Sequence, residues 1–352
     1  MIQVALIPGD GIGPEVIAIA VDVLKAVGAT LELPLKFDHY DLGADRYLKD
    51  GTTLPHGFVQ HVTDTSDAIL LGAMGDPRVP KGEHARGILL GLRQHLDLYL
   101  NLRPVKLLNT ALCPIKNKTL DDVDLVVVRE NTEGAYLGLG ARGKVGSPGE
   151  FATETAYYSK AGVDRALKGA FELATKRGMG RVCLGDKHNA MEAGHGLWFE
   201  RFQAIRQEHP TINATHRYAD TLLLELITHP EDFDVIVAPN LIGDLVSEAG
   251  AALMGGLGLA PSMSIHPGRP GLFEPVHGSA PGIAGQNIAN PMAAIWSAGL
   301  LLNHCGYPEG GALIEDALKH ALDTGLTTPD LGGPHSATAV GAAIRQFVMG
   351  VQ

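Results

Sequence analysis

The 352 residues carry 28 Lys and Arg against 39 Asp and Glu, a net charge of -11. That sign excludes a general nucleic-acid binder and requires any anionic substrate to meet locally concentrated arginines. A hydrophobic content of 45% with 19% charged residues excludes a disordered chain, and the length suits about two domains.

Three widely spaced cysteines, Cys113, Cys183 and Cys305, give neither a disulfide framework nor a zinc spacing, as expected in a reducing cytosol. No basic segment precedes the apolar run Val4–Ile7, which stops at Pro8. No window approaches the ~20 apolar residues of a membrane span. The expectation is a cytoplasmic chain that binds neither membrane nor nucleic acid.

Val4-Ala5-Leu6-Ile7 reads as a buried strand, and a helix is expected from about Glu15 to Val27. The turn between them, Gly9-Asp10-Gly11-Ile12-Gly13-Pro14, has the wrong spacing for the G-x-G-x-x-G dinucleotide fingerprint, so a Rossmann fold is not expected. Ala68–Ala73 is a second buried strand, followed by Gly75–Gly82, either a mobile lid or a surface connection. From Arg86 to Arg103, Ile88, Leu89, Leu92, Leu96 and Tyr99 keep helical spacing, and Pro104 ends the helix. On it Leu89, Leu90 and Arg93 share a patch suited to a ligand with an alkyl arm and a carboxylate. The alternative is a core stripe with an Arg93–Asp97 ion pair.

Further strands are expected at Leu125–Val128, Glu150–Thr155, Arg181–Leu184 and Asp234–Ala238. Helices are expected near 160–177, 194–207, 245–254, 291–304, 309–324 and 336–348. Strands alternating with helices give an α/β fold.

Chemistry-bearing residues follow strand ends. Arg129-Glu130-Asn131-Thr132-Glu133-Gly134-Ala135-Tyr136 adds an arginine and a phenol, and Lys187 could serve as a general base or be a solvated loop lysine. Asp244 and Glu248 lie four apart, where both can face one hard cation such as Mg²⁺ or Mn²⁺, unless Asp244 is only an N-cap. Asp220 could add a third carboxylate or cap its own helix. The loop 274–291 is long and glycine-punctuated, and could wrap a ligand with backbone amides and the side chains of His277, Ser279 and Asn290.

Taken together, Gly9-Asp10-Gly11-Ile12-Gly13-Pro14-Glu15, Leu92-Arg93 through Leu102-Arg103-Pro104, Arg129–Gly134, Asn240-Leu241-Ile242-Gly243-Asp244, Phe273–Pro281 and Thr328–Gly333 resemble the β-decarboxylating dehydrogenases. That family acts on isopropylmalate, isocitrate, homoisocitrate or tartrate, and the similarity spans essentially the whole chain. The resemblance implies a two-domain α/β fold with a large mixed sheet flanked by helices. Residues 1–98 and 252–352 would form a cofactor-binding domain, and 99–251 a substrate, metal and dimerisation domain. It implies Arg93, Arg103 and Arg129 as the clamp on a 2-hydroxy dicarboxylate and Tyr136 as the acid that protonates the enol. Lys187 would be the base at the C2 hydroxyl, and Asp220, Asp244 and Glu248 the Mg²⁺ or Mn²⁺ ligands. Lys187 and Asp220 would serve the other subunit of a homodimer with shared active sites, Asp220 also lying at the substrate. NAD would be held by Ile12, Glu274, His277, Gly278, Ser279, Ala280, Ile283 and Asn290.

Isocitrate-specific members carry polar residues where this chain has Leu89 and Leu90. The pair suits an isopropyl arm at about 0.8 kcal/mol per buried CH₂, and would leave a carboxylate unpaired. The substrate implied is therefore 3-isopropylmalate, with homoisocitrate, isocitrate and tartrate as rivals. Two rivals of another class are a non-catalytic regulatory subunit and a metal-dependent sugar- or phosphate-binding protein. Glu248 stands where the family pattern has Asp, Gly282 replaces the acidic residue expected at the adenosine ribose, and Ala190 replaces a valine of the alkyl pocket.

Overall fold

A computed structural model describes residues 1–350. In chain order, β1 (Ile2–Ile7) is followed by α1 (Gly13–Thr30), β2 (Leu35–His39), α2 (Ala44–Asp50), α3 (Phe58–Thr65) and β3 (Ala68–Leu71). Next, α4 (Glu83–Ala85), a π-helical turn at Arg86–Leu90 and α5 (Gly91–His95) follow without a break. Then come β4 (Leu100–Lys106), β5 (Asp124–Glu130), β6 (Gly134–Gly143), β7 (Phe151–Tyr157), α6 (Lys160–Arg177), β8 (Arg181–Asp186) and α7 (Glu192–Glu208). The chain continues through β9 (Asn213–Tyr218), α8 (Ala219–Thr228), β10 (Val235–Ala238), α9 (Asn240–Leu253), β11 (Pro261–Ile265) and β12 (Gly271–Pro275). It closes with α10 (Met292–His304), α11 (Pro308–Asp323) and α12 (Ala337–Val348).

These elements form two compact units, Met1–Leu98 with Lys106–Leu120 and Ala251–Gln352, and Tyr99–Val105 with Asp121–Gly250. Lys106–Leu120 belongs with the first unit rather than with the 99–251 segment. The reason is local: the Lys106 ammonium pairs with Glu315, and the Asn109 carboxamide donates to Asp323 at 2.9 Å. Both draw the exit of β4 onto α11.

In the first unit the strand order is β2-β1-β3-β12-β11. β1 runs parallel to β2 and β3, and β12 runs parallel to β3 but antiparallel to β11, so the sheet is mixed. The interior strand β1 is buried almost throughout, as a strand covered on both faces must be, which explains its apolar run Val4–Ile7. Helix α10 is apolar on all sides, with Met292 through Gly299 buried. It packs on α1, α11 and the sheet.

In the second unit the order is β4-β5-β10-β8-β9, with β10 parallel to β5 and β8, and β9 parallel to β8. Helix α6 covers this sheet. Ser159 caps its start by accepting from the Gly162 amide, and Gly178 ends it in the left-handed region. Between these ends Val163, Ala166, Leu167, Ala170, Phe171 and Ala174 form one buried stripe. The hairpin β6–β7 is antiparallel and its β7 strand is mostly exposed.

The helix expected from Arg86 onward is shorter than its spacing suggests. Asp97 adopts a left-handed φ of 51°. Its amide bonds to the Gln94 carbonyl, while the Leu98 amide reaches back to Arg93 at 2.8 Å. This is a Schellman stop with an aspartate in the position glycine usually takes. The buried Leu98 locks the turn into the core beside Ile88, Leu92 and Leu96. Tyr99 and Pro104 therefore lie on or next to a strand, not on that helix. The same stop rules out the alternative Arg93–Asp97 pair: the Arg93 guanidinium donates to Glu274 instead, at 2.7 Å.

Candidate active site

In the first unit the glycine turn after β1 is organised by the buried Asp10. Its carboxylate accepts from the amides of Ala44 at 2.6 Å and Gly75 at 2.8 Å, and it meets His84 Nε2 at 2.8 Å. The turn is thereby tied to the start of the 75–82 segment. Gly11, at φ +56°, lies so close to the Ser279 carbonyl that a Cβ would sit 2.0 Å from it, and the Ile12 amide donates to that carbonyl at 2.8 Å. The glycine loop thus braces the 274–290 loop.

Within the 274–290 loop the predicted residues divide. The Asn290 side chain is committed: its amide donates to Asp330 at 3.0 Å and its carbonyl accepts from the Met292 amide at 3.0 Å. Glu274 is buried against Arg93, and Ser279 is buried, while Gly278 and Ala280 are exposed and Ile283 is half-buried. His277 differs: Nδ1 meets the Gly278 carbonyl at 3.0 Å, while Nε2 is buried without a partner. Burial pushes its imidazole below the usual histidine range, outweighing the Gly278 carbonyl contact. A neutral imidazole with one unsatisfied nitrogen fits a ligand-binding loop, and the residues present fit a nucleotide cofactor.

Leu89 and Leu90 sit on the π-helical turn and are half-buried, whereas Ile88 and Leu92 are fully buried. Leu89 packs partly on the core and Leu90 is outside that cluster, so the pair divides between packing and access. Gly87 and Gly91 let this turn lie on Thr53 and Leu54: a Cβ would meet their side chains at 2.6 and 2.8 Å. π-Turns inside helices occur frequently at functional sites.

The second unit gathers Arg103, Arg129, Tyr136 and Asp244. Asp244 accepts from Arg129, from Arg103 at 3.1 Å and from the Tyr136 hydroxyl at 2.6 Å. The Arg129 guanidinium carbon stands 4.9 Å from the Tyr136 ring centre, and its Nε donates to Asn240 at 2.9 Å. Gly243 permits this approach, since a Cβ would lie 2.8 Å from the Arg129 side chain. Burial, the hydrogen bond to Asp244 and its charge all raise the Tyr136 pKa, against Arg129 and Arg103. The phenol is therefore protonated at neutral pH and able to act as an acid.

The motif around Arg129 is largely scaffolding. The buried Glu130 accepts from the Thr132 amide and hydroxyl, each at 2.7 Å. Glu133 accepts from the Ser159 amide at 2.8 Å and hydroxyl at 2.6 Å, which fixes the α6 cap. Asp244 is not the N-cap weighed from the sequence, because α9 begins four residues earlier at Asn240. Asp220 is the second residue of α8, with Tyr218 at the cap.

Lys187 follows β8 and pairs with the exposed Asp220. The structure does not group Asp220 with Asp244 and Glu248. Among the described residues, the group of three whose ligand atoms lie within 4.8 Å of one another is Asp186, His188 and His216. Glu248 is exposed on α9 one turn after Asp244. The oxygen-only donors Asp244 and Glu248 fit Mg²⁺ or Mn²⁺ chemically, with further ligands needed from elsewhere.

Sequence reading missed His195 and Tyr158. The Lys187 amide donates to His195 Nδ1 at 2.9 Å, and His195 Nε2 meets the Tyr158 hydroxyl at 3.2 Å. Burial lowers the His195 pKa and pushes the Tyr158 phenol up to about 12, so this neutral pair fixes the backbone at Lys187. The available signal was His195 in the first turn of the helix that follows Lys187.

The isocitrate/isopropylmalate dehydrogenase family model matches residues 3–344. The chain belongs to this family. It is 41% identical over 349 residues to the 3-isopropylmalate dehydrogenase of Thermobifida fusca, covering 99% of this chain and 98% of the relative. It is 44% identical over 339 residues to that of Streptomyces griseus, covering 94% and 96%. The solved isocitrate dehydrogenase of Methylococcus capsulatus superposes with a TM-score of 0.90 at 35% identity, covering 99% of this chain and 100% of the other. Membership of this family makes the chain an oxidoreductase with a small-molecule substrate, and excludes the sugar- or phosphate-binding reading. Among the described residues no helix is long and apolar enough to cross a membrane.

Proposed function

We propose that the chain catalyses NAD-dependent oxidative decarboxylation of 3-isopropylmalate to 4-methyl-2-oxopentanoate, a step of leucine biosynthesis in the cytoplasm. The observation that carries this reading is the convergence of two guanidinium groups and a protonated phenol on Asp244. These are the donors that a substrate carboxylate and an enol carbon require.

In the proposed mechanism Arg103 and Arg129 hold substrate carboxylate, with Arg93 as the third arginine and Leu89–Leu90 against the alkyl arm. These roles are taken residue by residue from the family. Lys187 Nζ takes the C2 hydroxyl proton, and Tyr136 Oη delivers a proton to C3 after CO₂ leaves. NAD would supply a hydride acceptor, and Mg²⁺ or Mn²⁺, which Asp244 and Glu248 would hold together with Asp220 of the second copy, would supply a Lewis acid. His277, with Ile12, Gly278, Ser279, Ala280 and Ile283, would line the nucleotide loop. Glu274 and Asn290 would shape it through Arg93 and Asp330.

The proposed partner is a second copy of the chain, to whose active site Lys187 and Asp220 contribute. Exposed apolar side chains support this: Leu224 and Ile227 on α8, Leu241 and Leu245 on α9, and Leu139, Phe151 and Tyr157 on the β6–β7 hairpin. The purified chain is expected to form NADH and CO₂ from 3-isopropylmalate only with Mg²⁺ or Mn²⁺ present. Absence of metal-dependent NADH formation would favour the non-catalytic subunit instead.

A further inference from the structure

Around Lys187 the chain builds a cluster that the proposed reaction does not use. Asp186, at the end of β8, has no exposed side-chain surface. Its Oδ1 lies 2.9 Å from His188 Nδ1 and 3.1 Å from His216 Nε2, and also accepts from the His188 amide at 3.1 Å. The two imidazoles keep 23% and 18% of their side-chain surface exposed, so solvent reaches them.

We propose that Asp186, His188 and His216 bind one borderline divalent transition-metal ion, with Zn²⁺ as the type case. Their ligand chemistry is unlike that of Asp244 and Glu248. Two imidazoles and one carboxylate are what Zn²⁺, Co²⁺ or Ni²⁺ select, whereas Mg²⁺ prefers oxygen ligands in an octahedron. A tetrahedral shell with bonds of ~2.1 Å has edges of about 3.4 Å. The contacts from Asp186 to the two rings therefore need to open by only a few tenths of an ångström to admit an ion, with a corner left for water.

Supporting contacts are already in place. His188 Nε2 lies 3.3 Å from the Tyr218 hydroxyl, the kind of outer contact that fixes which ring nitrogen faces a metal. Phe199 packs on both rings, at 4.5 Å from His188 and 5.0 Å from His216, and Tyr218 does the same at 5.0 and 5.1 Å. These walls restrict the rings to the orientations that aim both nitrogens at Asp186. The neighbouring Lys187 ammonium, which would oppose a cation, is neutralised by Asp220.

The test is equilibrium dialysis of the full chain against Zn²⁺ in excess Mg²⁺, which occupies oxygen-only sites. One Zn²⁺ per chain is expected to be retained. His188→Ala and His216→Ala should each weaken it by ~10-fold or more, and Tyr218→Phe by less. Melting curves of the metal-free variants check folding. A second measurement needs no variant: Co²⁺ in the wild-type chain should give a tetrahedral d–d spectrum without a thiolate charge-transfer band. No Zn²⁺ retained, unchanged affinity in folded histidine variants, or a thiolate band would each overturn the proposal.

Discussion

Glu274→Ala tests whether this residue primarily holds Arg93. The two side chains meet at 2.7 Å with 6% and 11% of their surfaces exposed, and Arg93 Nε already lacks a partner. Removing the carboxylate leaves a guanidinium buried without its counter-charge. Breaking a buried pair in this way costs about 3–5 kcal/mol. Glu274→Gln keeps an acceptor and is expected to cost about 1–3 kcal/mol. For a unit of this size each kcal/mol lowers Tm by roughly 2–4 °C, so Glu274→Ala should melt about 6–20 °C lower. Calorimetry of both variants, with hydrogen exchange to locate the loss in the first unit, measures this. A Glu274→Ala variant melting within about 2 °C of wild type would refute the buried-pair account and leave Glu274 free for a direct ligand role.

Leu90→Ala should lower kcat/KM for 3-isopropylmalate by roughly 5–30-fold, from about 0.8 kcal/mol per buried CH₂. The same variant should leave turnover of a 2-hydroxy acid lacking the alkyl arm unchanged; equal losses on both would remove Leu90 from substrate choice. Tyr136→Phe should cut kcat by ~10²–10⁴ with little change in NAD affinity measured by fluorescence titration, and near-normal turnover would deny it the acid role. The buried His195 and the half-buried His277 both have lowered pKa values, with burial the first cause in each. The unfolded chain therefore binds more protons, so the stability they contribute is complete above the ordinary histidine value of 6.5 and is lost as pH falls below it. Urea midpoints should drop from pH 7 to pH 5.5, and His195→Asn should shallow that slope; an unchanged slope would contradict the assignment for His195.

The fold was legible where local and global preferences agree. Helix α6 begins and ends at the expected residues because Ser159 and Gly178 carry the capping chemistry in the chain itself. β1 was legible because burial on both faces leaves the apolar run Val4–Ile7. The end of the Arg86 helix was not legible, because the left-handed Asp97 is stabilised by Leu98 entering a core assembled from distant segments. β9 was missed because its sequence Asn-Ala-Thr-His-Arg-Tyr shows neither alternation nor an apolar run. The donors Arg103, Arg129 and Tyr136 were visible through motif resemblance, but their meeting on Asp244 spans more than a hundred residues and depends on tertiary structure. Arg93 and Glu274 are separated by 181 positions, so no local pattern could pair them. The Asp186–His188–His216 group was half visible as Asp-Lys-His, but β9 had to be recognised before His216 could join it.

The proposed substrate is a 2-hydroxy dicarboxylate with a branched alkyl arm. Its most direct test is kcat/KM on 3-isopropylmalate, isocitrate, homoisocitrate and tartrate, each with NAD and with NADP. 3-Isopropylmalate with NAD should give the highest value, and a preference for isocitrate would exclude the alkyl-arm role of Leu89 and Leu90.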